Sequence, residues 1–436
     1  MTGKSFILPV LALGLVCCAG PVTESDQYPP IFPDYIGVTI PENIAQPVFR
    51  MKDGSRFRCS KQVKGDTLFC CVSSAGIKYK PFPVIISHDP IDPFITYRLI
   101  EPGYENWHDM GIWQRELSSY RETPVVTNRE NNKGCVNCHV CAPSDPSTYL
   151  FHARGKGGGT VLVKDNKARL VNLTKTGAKM QGVYPAWHPQ GRFVVFSSNK
   201  TFQSFTVSGS QPLEVFDAYS DLLMMDTGTD STFRIPGASE KDRLETFPAW
   251  SSDGKTLYWC CADGDTLNCE QRAEVHYRLL AMDFENGKFS SEPKTVWQSD
   301  SSSISFPRLH SEWLLYTKSA YGTFPVWHRE ADLWLLNLET GEDLPATELN
   351  SPDTESYHSW SSNGKWVVFS SRRLDGRYTR LYLAHFDGEG HFSKPFLLPQ
   401  KDPDFNQYRL QSYNIPEFMT GRVPTCRKKI KKLFAE

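Results

Sequence analysis

Phe247-Pro248-Ala249-Trp250-Ser251-Ser252-Asp253-Gly254-Lys255-Thr256-Leu257-Tyr258 decides the fold, because the chain repeats it. Tyr184-Pro185-Ala186-Trp187 leads through Gly191 into Phe193-Val194-Val195-Phe196. Tyr357-His358-Ser359-Trp360 leads through Gly364 into Trp366-Val367-Val368-Phe369. Phe306-Pro307-Arg308-Leu309 leads into Trp313-Leu314-Leu315-Tyr316 and lacks the glycine. Each copy is an aromatic, two residues, a bulky apolar residue, a turn and a β-run. Glycine at the turn suits a tight hairpin that needs a positive φ. A second β-pair follows each copy: 220–226 before Thr227-Gly228, 277–283 before Asn286-Gly287, 331–337 before Thr340-Gly341, and 379–385 before Asp387-Gly388. Two hairpins make a four-stranded blade, and periods of roughly 50–60 residues mark a propeller. One blade cannot bury both faces, whereas neighbours around an axis can. The expectation is all-β: a β-propeller over 91–425. Four copies are clear, and 91–130 and 140–178 read as degenerate ones. That gives six blades, with seven as the alternative.

Upstream, residues 41–90 alternate strand-like runs with the turns Asp53-Gly54 and Gly65-Asp66, which predicts a small β-sandwich-like module. Residues 19–40 carry Pro21, Pro29, Pro30 and Pro33 and read as a linker. Residues 1–18 read as an export signal: Lys4, a short apolar run from Phe6 to Val16, then Cys17-Cys18. Leu15 at minus three resembles a bacterial lipobox with Cys18 lipidated, although Cys17 at minus one departs from the usual small residue. This places the chain in the cell envelope, held to a membrane by a lipid on the periplasmic face or surface of the outer membrane. No later stretch is long and apolar enough for a spanning helix. Lys+Arg 48 against Asp+Glu 49 gives no electrostatic reason for a nucleic-acid partner. The basic run 426–436 reads as a solvated tail.

Between module and clear repeats stands Cys135-Val136-Asn137-Cys138-His139, the C-x-x-C-H spacing of covalent haem c attachment. Cys135 and Cys138 would form the thioethers and His139 would ligate iron. The reading places this motif in a loop over 131–146. His152 is the nearest candidate for the sixth ligand, with Met180, His188 and His358 behind it. Arg154 is a candidate partner for a haem propionate. Zinc held by Cys135, Cys138, His139 and Cys141 is the minor alternative, crowded for a tetrahedral ion. With the haem cysteines and Cys17 and Cys18 set aside, eight remain; Cys59 with Cys70 or Cys71, and Cys269 with Cys260 or Cys261, are candidate disulfides. No G-x-S-x-G accompanies the repeats, and no carboxylate pair presents itself as acid and base, so no catalytic residue is nominated.

The aromatic-Pro-x-Trp-Ser-x-Asp-Gly-Lys repeat resembles that of TolB-like β-propellers. With the C-x-x-C-H motif, Leu150–Gly158 and Ser412–Phe418, the chain resembles a group of exported Bacteroidetes lipoproteins often labelled cytochrome-c-like. The resemblance implies a propeller carrying one covalent haem, in envelope electron transfer or redox sensing with a protein redox partner. The other expectation is a binding module for an envelope protein or glycan, with the C-x-x-C-H stretch structural or zinc-binding.

Overall fold

Six four-stranded sheets surround one axis. The computed structural model describes residues 22–101, 109–143, 145–176, 178, 180–205, 213–264 and 274–435. The innermost strands are β1 (Val136–Ala142), β2 (Gly182–Trp187), β3 (Arg243–Trp250), β4 (Ser303–His310), β5 (Glu355–Trp360) and β6 (Ser412–Met419). Three further antiparallel strands extend each of them outward. The ring closes because β6, near the C-terminus, pairs with Phe94–Ile100 at the start of the propeller. Each inner strand packs on the next in the order β6, β1, β2, β3, β4, β5 and back to β6. The degenerate stretches are thus full blades, and the count is six among the described residues.

All six inner strands break register at the same place. The residue at the break has a left-handed backbone: φ is 49° at Cys138, 47° at Tyr184, 48° at Phe247, 51° at Phe306, 48° at Tyr357 and 52° at Ile415. A bulge bends a strand and re-aims its side chain. Here the bulged residues turn toward the axis. Tyr184, Phe247, Phe306 and Tyr357 meet there, with successive ring centroids 4.4, 4.1 and 4.8 Å apart. In the copy without glycine, Ser311 takes the turn with φ 52°.

This geometry corrects the placement of the C-x-x-C-H stretch. It is an inner strand with Cys138 at the aromatic position, and the loop covers only 128–135 ahead of it. The proline-rich segment also differs from a linker. Thr23–Glu24 pairs with Ile77–Lys78, and Thr39–Pro41 pairs beside Phe82–Ser87. Tyr35, Val38 and Ile40 are buried in the module's core, so the apolar residues between the prolines outweigh the breakers. The basic end docks too. Arg427–Leu433 is a helix whose Ile430 is buried with Cys135, Val136 and Phe151, and Arg427 pairs with Glu130 at 2.7 Å. Cys59, Cys70 and Cys71 are free thiols, because pairing sets Cys59 opposite Val72 and Cys70 opposite Lys61. Cys260 and Cys261 are also free. Cys18 and Cys269 lie outside the described residues. No described helix is long and apolar enough to cross a membrane.

Candidate functional site: the two ends of the axis

The inner strands all start at one end of the axis and finish at the other, so the aromatic plug divides it into two spaces. The upper mouth, about 180 Å³, is built where the strands start: Cys135, Asn137 and Cys138 on one side, Ser412 and Asn414 on another. Arg98, Arg154 and Arg372 bring three guanidiniums to it, over Tyr184, Tyr357 and Trp327. Arg372 is buried and stacks on Trp327, its guanidinium carbon 3.2 Å from the ring centre. Arg98 reaches Cys135 Sγ at 3.5 Å and Met110 Sδ at 3.8 Å, and its Nε has no partner among the described residues. Arg154 makes no ion pair among the described residues. Asn131 fixes this wall by donating to the Cys135 and Arg154 carbonyls at 3.1 and 2.9 Å. A Cβ on Gly134 would strike the Arg154 carbonyl, so only glycine permits that approach.

Below the plug lies a chamber of about 20 Å³, lined by Cys138, His139, Arg308 and Glu417. It meets the lower mouth, about 320 Å³, where Arg308 and Glu417 recur. His139 is 4% exposed and neither ring nitrogen has a hydrogen-bond partner among the described residues. Burial, with Arg98 adding, pushes its pKa down to about 3, so the ring is neutral. Burial likewise pushes the Cys138 thiol up. His152 stands opposite Asn137 in register and lines neither space. Burial, then Arg154, holds it at about 3.

These positions test the cofactor readings. A haem c needs both thiols at its edge and the histidine over its centre. Here Cys135 opens only to the upper mouth and His139 only to the chamber, with the aromatic plug between them and Cys138 at its rim. Room for one water-sized group under the plug is no room for a porphyrin, so the residues as placed do not fit a haem ligated by His139. Zinc fares no better. Cys141 lies at the lower mouth, and no three His, Cys, Asp or Glu side chains converge among the described residues. What the upper mouth offers is a set of guanidiniums over aromatic faces, and that chemistry takes carboxylates or phosphates.

No family model matches the chain, and no curated protein matches its sequence. Its neighbours among solved structures are TolB-like β-propellers. TolB from Acinetobacter baumannii is 13% identical over 83% of this chain and 81% of its own, with TM-score 0.46. TolB from Agrobacterium tumefaciens is 12% identical over 74% and 98%, with TM-score 0.44. An oligogalacturonate lyase in complex with manganese is 13% identical over 70% and 73%, with TM-score 0.41.

Sequence reasoning found Cys135, Cys138 and Arg154 at the mouth but missed Arg98, Arg372, Arg308 and Glu417. One signal was present. Ile415-Pro416 copies Tyr184-Pro185, and Cys138-His139 copies Tyr357-His358. Aligning those dipeptides would have placed both stretches as inner strands. Arg98 and Arg372 carry no pattern, because the ring closure and a blade loop bring them in.

Proposed function

We propose that this chain is an envelope binding module, and that its upper mouth captures a ligand bearing carboxylates. The observation that supports it is the convergence of Arg98, Arg154 and Arg372 on one cavity whose floor is aromatic. Arg98 and Arg154 make no ion pair among the described residues, and Glu101 is the one carboxylate among the residues that line the mouth with them. Guanidinium forks match carboxylates in two-point geometry, and the recessed site screens them less than open surface does. The scaffold supplies orientation: Asn131 and Gly134 hold the Arg154 wall, and Trp327 holds Arg372.

Titration calorimetry on the full chain, with uronate oligosaccharides and Glu-rich peptides against their neutral counterparts, tests this reading. Acidic ligands should bind, and Arg98→Gln or Arg154→Gln should weaken them by about tenfold each, the loss of one charge-assisted contact. Equal binding of neutral counterparts, or no effect of either substitution, would overturn it.

A further inference from the structure

The lower end of the axis carries a set of buried polar groups with unpartnered atoms among the described residues. The repeat alignment explains how they meet. Two residues after the bulge, β2 and β3 carry Ala186 and Ala249, while β4, β5 and β6 carry Arg308, Ser359 and Glu417. These three strands are consecutive in the ring, and β1, which follows β6, carries Val140 at this position. One arc of three inner strands therefore presents a guanidinium, a hydroxyl and a carboxyl at one level, where the other three strands present only apolar side chains.

All three are incompletely satisfied among the described residues. Ser359 is 7% exposed and its Oγ has no hydrogen-bond partner among them, nor has Oε2 of Glu417. Arg308 has only a 3.4 Å contact to its neighbour's carbonyl, and it forms no ion pair with Glu417 within 4.0 Å. Buried polar atoms left without a partner are costly to the folded chain. A set of them facing one accessible space is what a ligand completes. The space is open to solvent at the lower mouth, about 320 Å³, whose remaining walls include Trp360, Phe418 and Leu309.

We propose that this arc is a second binding site, separate from the upper mouth, for a small monocarboxylate with an apolar remainder. The carboxylate would take Arg308 and Ser359 at the lower mouth, and the remainder would lie against Trp360 and Phe418. One guanidinium matches one carboxylate. Glu417, together with Asp92 and Asp145 at the rim, opposes a second negative charge, so a dicarboxylate or phosphate is disfavoured.

The test is titration calorimetry of the full chain carrying Arg98→Gln/Arg154→Gln, which removes the upper mouth's own affinity for carboxylates, with phenylacetate and hexanoate, phenylacetamide as the neutral isostere and succinate as the dianion. Phenylacetate and hexanoate should bind saturably, while the amide and succinate bind at least about tenfold more weakly. In that background Arg308→Gln should weaken phenylacetate by about tenfold or more and Ser359→Ala by a few fold. Circular dichroism of Arg308→Gln checks its fold, and Ser359→Ala reads the site without touching a charge. Equal affinity for the amide, no saturable binding in that background, or unchanged binding in both Arg308→Gln and Ser359→Ala would overturn the proposal.

Discussion

Phe306 sits at the centre of the plug, 4% exposed, with ring centroids 4.1 Å from Phe247 and 4.8 Å from Tyr357. Phe306→Ala should cost about 4 kcal/mol, the usual range for a buried phenylalanine. The close ring pairs put it toward the upper part of that range. The informative comparison is Phe306→Gly. At an ordinary strand position glycine is less stable than alanine by about 0.5–1 kcal/mol. Here φ is 51°, a conformation that costs an L-residue about 1–2 kcal/mol and glycine almost nothing. Alanine keeps that cost and glycine sheds it, so the order should invert, with Phe306→Gly more stable than Phe306→Ala by about 1 kcal/mol. Urea denaturation followed by tryptophan fluorescence, read at matched slopes, measures both. A glycine variant less stable than the alanine variant would refute the left-handed bulge, and with it the mechanism that turns six side chains onto the axis.

Further outcomes follow from other parts of the fold. Burial disfavours a charge on His328, but hydrogen bonds to Glu214 and Glu330 outweigh it and raise the pKa to about 9. The folded value lies above the unfolded one, so this contribution is whole below about pH 6.5 and is lost as pH rises to about 9. Chemical denaturation at pH 6 and pH 9.5 should show a fall in the wild type that is reduced in His328→Gln; an equal fall in both would contradict it. Ile430→Ala in the C-terminal helix should cost about 2–4 kcal/mol, because Ile430 is fully buried. Arg427→Ala should cost about 1 kcal/mol or less, because its side chain is 40% exposed. Thermal melts of the two variants check this, and equal shifts would mean that the helix does not dock through Ile430.

Much of the fold was legible because blade packing writes itself into a repeat. Trp187, Trp250 and Trp360 recur with Gly191, Gly254 and Gly364, and those positions led directly to four blades. The other two were disguised by chemistry rather than by loss of geometry. Cys138-His139 and Ile415-Pro416 occupy the bulge without an aromatic, since a left-handed φ and an axial direction matter there more than ring size. Reading C-x-x-C-H as a cofactor loop treated as local a motif whose spacing is also that of an inner strand. The prolines of 21–33 misled in the opposite sense, because tertiary burial of Tyr35 and Val38 outweighs local breaking. The candidate sites were half legible. Residues on inner strands follow from the repeat, so Arg308, Ser359 and Glu417 could have been aligned. Arg98 depends on ring closure and Arg372 on a blade loop, and no local pattern encodes either.

The account's central claim is that Cys135-Val136-Asn137-Cys138-His139 is an inner propeller strand, with its thiols at the upper mouth and its histidine under the plug. Intact-mass spectrometry with a pyridine haemochrome spectrum, on the full chain produced alongside a haem-attachment system, tests it most directly. The account predicts a mass without haem and no haemochrome bands. A haem adduct present in the wild type and absent from the Cys135→Ala/Cys138→Ala variant would contradict it.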